Sequence, residues 1–127
     1  MKILTVDDSS VVRKVIRAAV EALEFEVLEA EDGFEALEII DSLQMGDISL
    51  VLLDWNMPRM SGLEVLKRIK MHKVHKKVPV MMVTTESHKD NIVEAIRNGA
   101  AHYTVKPFTI EELMTRILEC LGKGDEE

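Results

Sequence analysis

Short apolar runs alternate with stretches of helical periodicity along the whole chain. ILTV (3–6) reads as a short buried strand. Ser9 or Ser10 then caps a helix whose apolar positions, Val12, Val15, Ile16, Ala19 and Leu23, recur at helical spacing. FEVLEA (25–30) alternates like a strand with one partly wet face. FEALEIIDSL (34–43) returns to helical spacing, with Leu37, Ile39 and Ile40 inward and glutamates outward. LVLL (50–53) is the most uniformly apolar run, the pattern of a central parallel strand covered on both faces. NMPRMSG is a loop marked by Pro58 and Gly62, LEVLKRIK (63–70) a helix, and VPVMMV (78–83) a buried strand. KDNIVEAIRNG (89–99) reads as a helix with Gly99 as its C-cap. HYTV (102–105) is the last strand, and Thr109 caps a helix with the stripe Ile110, Leu113, Met114, Ile117, Leu118 and Leu121.

Five strands alternating with five helices predict an α/β fold. Right-handed crossovers then give a mainly parallel sheet with helices on both faces. Residues 1–122 read as one domain and 123–127 as a short acidic tail, with no tandem repeat or linker to divide them. The length of 127 residues suits a single core, and 46% hydrophobic residues provide for it. A formal charge of −7 argues against a nucleic-acid binder. No apolar run approaches the roughly 20 residues that span a bilayer, and the N-terminus is not a secretory signal. The single cysteine, Cys120, suits a reducing compartment. The expectation is a cytoplasmic monomer that binds neither nucleic acid nor membrane.

In a parallel sheet of this kind, ligands sit beyond the C-terminal strand ends. The first strand is followed by Asp7 and Asp8, the third by Asp54, the fourth by Thr84 and Thr85, and the fifth by Lys106 and Pro107. Three carboxylates, a hydroxyl and an ammonium are therefore expected on one shallow edge. Lys106 alone leaves a charge deficit among three close carboxylates. A hard divalent cation with oxygen ligands closes it, and magnesium suits such a set. Against this, acids after a strand are also common as turn and cap residues, and Asp8 suits the N-terminus of the first helix.

Other chemistries lack their residues. There is no P-loop, no dinucleotide fingerprint and no nucleophile elbow. No His/Cys ligand cluster favours zinc. His72 and His75 fall in the basic run KMHKVHKK, which reads as a solvated loop. His88 and His102 read as surface residues without partners, and Cys120 as a packing residue.

VDDSS (6–10), LLDWNMPRMSG (52–62), VTTES (83–87) and YTVKPF (103–108) together resemble the four signature blocks of bacterial response-regulator receiver domains, over almost the whole chain. The resemblance implies the flavodoxin-like (βα)5 fold with strand order 2-1-3-4-5. It implies Asp54 as phosphoacceptor, and Asp7, Asp8, Asp54 and the Asn56 backbone carbonyl as ligands of Mg2+. It implies Thr84 and Tyr103 as switch residues, Lys106 as the phosphate-binding lysine, a cis bond before Pro107, and Asn56 and Glu86 as residues that tune phosphoryl lifetime. The chain then acts as a signalling module and not as a turnover enzyme.

Within the family the chain looks most similar to single-domain chemotaxis receivers of the CheY type. That likeness implies a CheA-type histidine kinase as phosphodonor. It also implies a FliM-type flagellar switch protein as output, bound through Lys89, Ile92, Tyr103 and Arg116. Ile92 also reads as core, at helix spacing with Ile96. Two other readings stay open. One is a phosphorelay shuttle docking its partner around Val11, Val12 and Val15. The other is an aspartate-dependent phosphatase using Asp54, which the Asn56 at the place of a second acid disfavours.

Overall fold

The computed structural model describes residues 1–122, so the acidic tail expected at 123–127 lies outside the described residues. Five strands, β1 (Lys2–Val6), β2 (Glu26–Ala30), β3 (Ile48–Leu53), β4 (Val80–Thr84) and β5 (His102–Val105), pair in parallel in the order β2-β1-β3-β4-β5. Helices α1 (Ser10–Ala22), α2 (Gly33–Ser42), α3 (Gly62–Lys70), α4 (Lys89–Arg97) and α5 (Ile110–Cys120) connect and follow them. This is the flavodoxin-like order expected of the chain.

Strand side chains alternate between the two sheet faces, and each face buries an apolar cluster. On one face Ile3, Leu50, Leu52, Met81 and Val83 pack against Ile16 and Val20 of α1 and Leu113 and Ile117 of α5. On the other, Leu4, Val6, Val51, Leu53, Val80 and Met82 meet α2, α3 and α4 through Ala36, Ile40, Val65, Leu66, Ile69 and Ala95. The helices start where polar side chains cap free N–H groups: Ser9 accepts from Val12, Asp32 from Glu35, Ser61 from Glu64, and Thr109 from Glu112 in a reciprocal capping box.

Several expectations need correction. Val15 is exposed, because the buried stripe of α1 is Ile16, Ala19 and Val20. Ile110 is likewise exposed at the open first turn of α5. Ile96 is 47% exposed and Ala95 is the buried residue of α4, so Ile92 does not form a core pair with Ile96. Asn98 is the C-cap of α4, and Gly99 follows it at φ +105°, in the left-handed region glycine adopts without strain. His88 is exposed but has a role, since its Nδ1 accepts the Asp90 N–H at 3.3 Å and caps α4.

The largest departure is His75, which is 1% exposed and not in a solvated loop. Its Nε2 lies 3.0 Å from the Leu43 carbonyl at the end of α2, and its ring packs 5.0 Å from that of His72. His72 accepts the Val74 N–H on Nδ1, which leaves its Nε2–H to meet Asp41 at 3.0 Å. The basic run thus folds back over the end of α2.

Candidate functional site

Backbone ladders continue one residue past the strands and so place the charged groups. The Asp7 N–H donates to Ala30 O (3.1 Å), the Asp54 N–H to Val6 O (3.0 Å) and the Lys106 N–H to Thr84 O (2.8 Å). Asp7, Asp8 and Asp54 each offer a carboxylate oxygen within 4.8 Å of the others. Lys106 Nζ sits between two of them, 2.8 Å from Asp7 Oδ2 and 3.5 Å from Asp54 Oδ2. The Lys106–Pro107 bond is cis, as expected. The predicted convergence is therefore present: Asp7 and Asp54 are buried at the floor, and Asp8 is exposed at the rim.

The electrostatics at the floor are in conflict. Burial raises the Asp54 carboxyl above its ordinary range, and the Asp7 charge adds to the rise. The Thr84 hydroxyl, Lys106 and the Asn56 N–H (3.4 Å from Asp54 Oδ1) oppose it without cancelling it. The donor set is all oxygen, carries excess negative charge and opens on one side through Asp8. That fits a hard cation such as Mg2+ and does not fit zinc.

The loop after β3 is built to pass close to this floor. Gly62 N–H donates to Trp55 O at 2.7 Å, and a Cβ on Gly62 would fall 2.0 Å from the Asp54 carbonyl oxygen. Only glycine allows that approach. Arg59 adopts φ 70° in the same loop, held by an ion pair with Asp32 and by its position 5.3 Å over the Phe34 ring. That latch is not legible in the sequence, because 27 positions separate Asp32 from Arg59.

The expected switch and tuning residues lie at the same edge. Thr84 is fully buried, and its Oγ1 accepts the Glu86 N–H at 3.2 Å. Tyr103 is half-buried, and its hydroxyl donates to the Glu86 carbonyl at 2.7 Å. Burial first, then the Glu86 and Asp54 charges, push its phenol up to about 12. Asn56 is exposed beside Asp54. The Glu86 carboxylate turns to α4, accepting from the Asn91 amide at 2.8 Å. Of the four expected partner residues, Tyr103 and Arg116 line one depression of about 430 Å³ between β5 and α5. Lys89 is exposed on α4 and Ile92 partly buried there, outside that depression. Cys120 is partly buried, with burial pushing its thiol up to about 11, as suits a packing residue.

Comparison with known proteins agrees with this geometry. The response regulator receiver domain family matches residues 3–118. The chain is 40% identical over 128 residues to a "Chemotaxis protein CheY homolog" of Campylobacter jejuni, covering 100% of this chain and 97% of the relative. It is 40% identical over 126 residues to "Chemotaxis protein CheY1" of Helicobacter pylori, covering 98% and 100%. The solved structure of Vibrio cholerae chemotaxis protein CheY4 superposes with a TM-score of 0.87 at 33% identity, over 94% of this chain and 98% of that one. A CheY-like receiver domain from Methanospirillum hungatei gives 0.85 at 30% identity, over 98% and 95%. The chain therefore belongs to the response regulator receiver domain family, in its CheY-like branch.

Proposed function

We propose that this chain is a phosphorylation-activated chemotaxis regulator. Asp54 accepts phosphoryl from a phosphohistidine of a CheA-type kinase, and the activated surface binds a FliM-type flagellar switch protein in the cytoplasm. The observation that carries the reading is the buried Asp54 carboxylate facing Lys106 and clustered with Asp7 and Asp8. The names of the curated relatives supply the chemotaxis setting.

An Asp54 oxygen attacks phosphorus, the P–N bond to the donor imidazole breaks, and its electron pair stays on nitrogen. Water later attacks the aspartyl phosphate, returning the carboxylate and releasing inorganic phosphate. The ligands of Mg2+ would be Asp7, Asp8, Asp54 and the Asn56 carbonyl; the bound ion supplies positive charge to the phosphoryl oxygens. Lys106, 3.5 Å from Asp54 Oδ2, supplies a further positive charge, as positioning and charge are most of what phosphoryl transfer asks of a protein. Phosphorylation adds roughly −1.5 to −2 charges and new acceptor oxygens. Thr84 donates to one of those oxygens. Its inward shift disturbs the Glu86 backbone that both Thr84 and Tyr103 hold, and Tyr103 turns inward. Asn56 and Glu86 tune the lifetime of the phosphoryl group from the rim. The chain is a signalling module whose only chemistry is its own phosphorylation and dephosphorylation.

One observation favours a phosphorelay shuttle as the second reading. Val11 is 70% exposed and Val15 37%, and with Val12, Pro107 and Phe108 they line an apolar depression of about 220 Å³ beside Lys106. A helical partner carrying a phosphohistidine would fit there.

A pull-down separates the two. One bait is the protein with magnesium and beryllofluoride, which mimics the aspartyl phosphate; the other is Asp54→Asn treated alike. Enrichment of the flagellar switch protein on the first bait alone is the expected result. Enrichment of a histidine phosphotransfer protein instead would replace the chemotaxis reading with the shuttle.

A further inference from the structure

Every hydrogen-bonding group of Asp7 is engaged, and none of its partners is one of the clustered acids. Its N–H donates to Ala30 O, its Oδ1 accepts the Ser9 N–H at 2.9 Å, and its Oδ2 accepts Lys106 Nζ. Its backbone carbonyl accepts Arg13 Nη1 at 2.5 Å. That carbonyl belongs to the peptide unit joining Asp7 to Asp8, so whatever fixes it fixes the direction in which Asp8 leaves β1.

Arg13 is itself held. Its side chain is 17% exposed, and its Nε donates to Glu29 Oε1 at 2.9 Å. Glu29 lies on β2 opposite Thr5, two residues before Asp7, and also accepts Arg17 Nε at 2.9 Å. Burial acts to raise the Glu29 carboxyl, but the hydrogen bonds from Arg17 and Arg13 outweigh it and hold it below its ordinary range. The guanidinium is thus a rigid fork with one prong on the sheet and one on the acidic turn. Without such a hold, like charges on Asp7, Asp8 and Asp54 would drive the exposed Asp8 away from the other two.

We infer that Arg13 is a positioning residue: anchored by Glu29, it grips the Asp7 carbonyl and keeps the Asp7, Asp8 and Asp54 oxygens close enough to share one divalent cation. The inference rests on the proposed function, in which these three residues hold Mg2+. It carries a sign of its own. A guanidinium acting only through its charge repels a cation, so its removal would tighten Mg2+ binding. A guanidinium acting through position does the reverse.

The test is a Mg2+ titration of the full chain followed by fluorescence of Trp55, the only tryptophan, which directly follows Asp54. Arg13→Gln is expected to raise the Mg2+ dissociation constant about tenfold, in the range typical of groups that orient metal ligands. Arg13→Lys keeps the charge and loses the fork, and is expected to weaken binding several-fold; it also serves if the glutamine variant fails to fold. The Mg2+ concentration for half-maximal labelling by acetyl phosphate should rise by the same factor, with the rate at saturating Mg2+ unchanged. A lower melting temperature with unaltered Mg2+ affinity of the folded variants would overturn the inference, as would tighter binding by Arg13→Gln. No Mg2+ response in the unsubstituted protein would overturn the proposed function and the inference together. Equal responses in all three proteins would overturn the role of Arg13 alone.

Discussion

The basic loop between α3 and β4 and the acidic C-terminal edge of the sheet treat buried polar groups in opposite ways. The run 65–79, which leads across the N-terminal edge of the sheet, contains no acid, while Lys67, Arg68, Lys70, Lys73, Lys76 and Lys77 fall within it. There the polar groups that leave water mostly find backbone partners: Lys70 Nζ donates to Val78 O at 2.7 Å, and His75 meets Leu43 O. Burial lowers the Lys70 ammonium, and the Nδ1 of His75 has no partner among the described residues. These groups tie a loop to a helix end. At the C-terminal edge, three carboxylates face one ammonium, and the Asp54 carboxyl is pushed up by burial. A satisfied buried group reports on folding. A buried charge left in conflict, at the strand ends where ligands bind, reports on chemistry.

The sharpest way to break this comparison is a pair of glycines, one at each edge. Gly62→Ala drives a Cβ against the Asp54 carbonyl and is expected to cost about 3 kcal/mol, because the backbone of Asp54 must move. Gly46, in the turn between α2 and β3, has φ +88° and nothing within 4 Å of its Cβ position, so Gly46→Ala should cost only about 1 kcal/mol. Denaturant unfolding of both variants checks the contrast. Equal costs would mean that the close approach at Asp54 is not a tight one.

Next in size is His75→Ala, expected to lose about 2 kcal/mol from a buried ring and its bond to Leu43 while leaving the Trp55 response to Mg2+ unchanged. A shift in Mg2+ affinity would show that the basic loop is coupled to the acidic edge. Asp54→Asn should act in the opposite direction, raising stability at neutral pH by about 1 kcal/mol. The sign follows from linkage. The folded Asp54 pKa lies above the unfolded one, so below the ordinary carboxylate value of about 3.9 both states are protonated and the group has no effect. As pH rises through the unfolded and then the folded value, the folded state loses stability relative to the variant. Melting curves from acid to neutral pH should therefore start close together and diverge, with the variant the more stable. Curves that diverge on acidification instead would mean that Asp54 is stabilised as a carboxylate.

The alternation of elements was legible because strand and helix periods differ. The convergence of Asp7, Asp8, Asp54, Thr84 and Lys106 followed from parallelism alone, since the residue after each strand falls on one edge. Strand order was not in the periodicity; it came from the resemblance of the signature blocks. What stayed hidden depends on the paths of loops. His75 carries no periodic signal, and its burial follows from a loop folding over the end of α2. Nothing in the helical pattern singles out Arg13, and only the β2 register brings Glu29 alongside it. Ile96 shows the reverse error, an apolar residue at helical spacing that stays exposed because α4 buries only Ala95.

The most direct test of the account is intact-mass measurement after incubation with acetyl phosphate, with magnesium and with the metal chelated. The prediction is one phosphoryl group on the unsubstituted protein with magnesium, none when it is chelated, and none on Asp54→Asn under either condition. Labelling of Asp54→Asn to the same extent, or no labelling of the unsubstituted protein in magnesium, would contradict the assignment of Asp54 as the phosphoacceptor of a cation-dependent site.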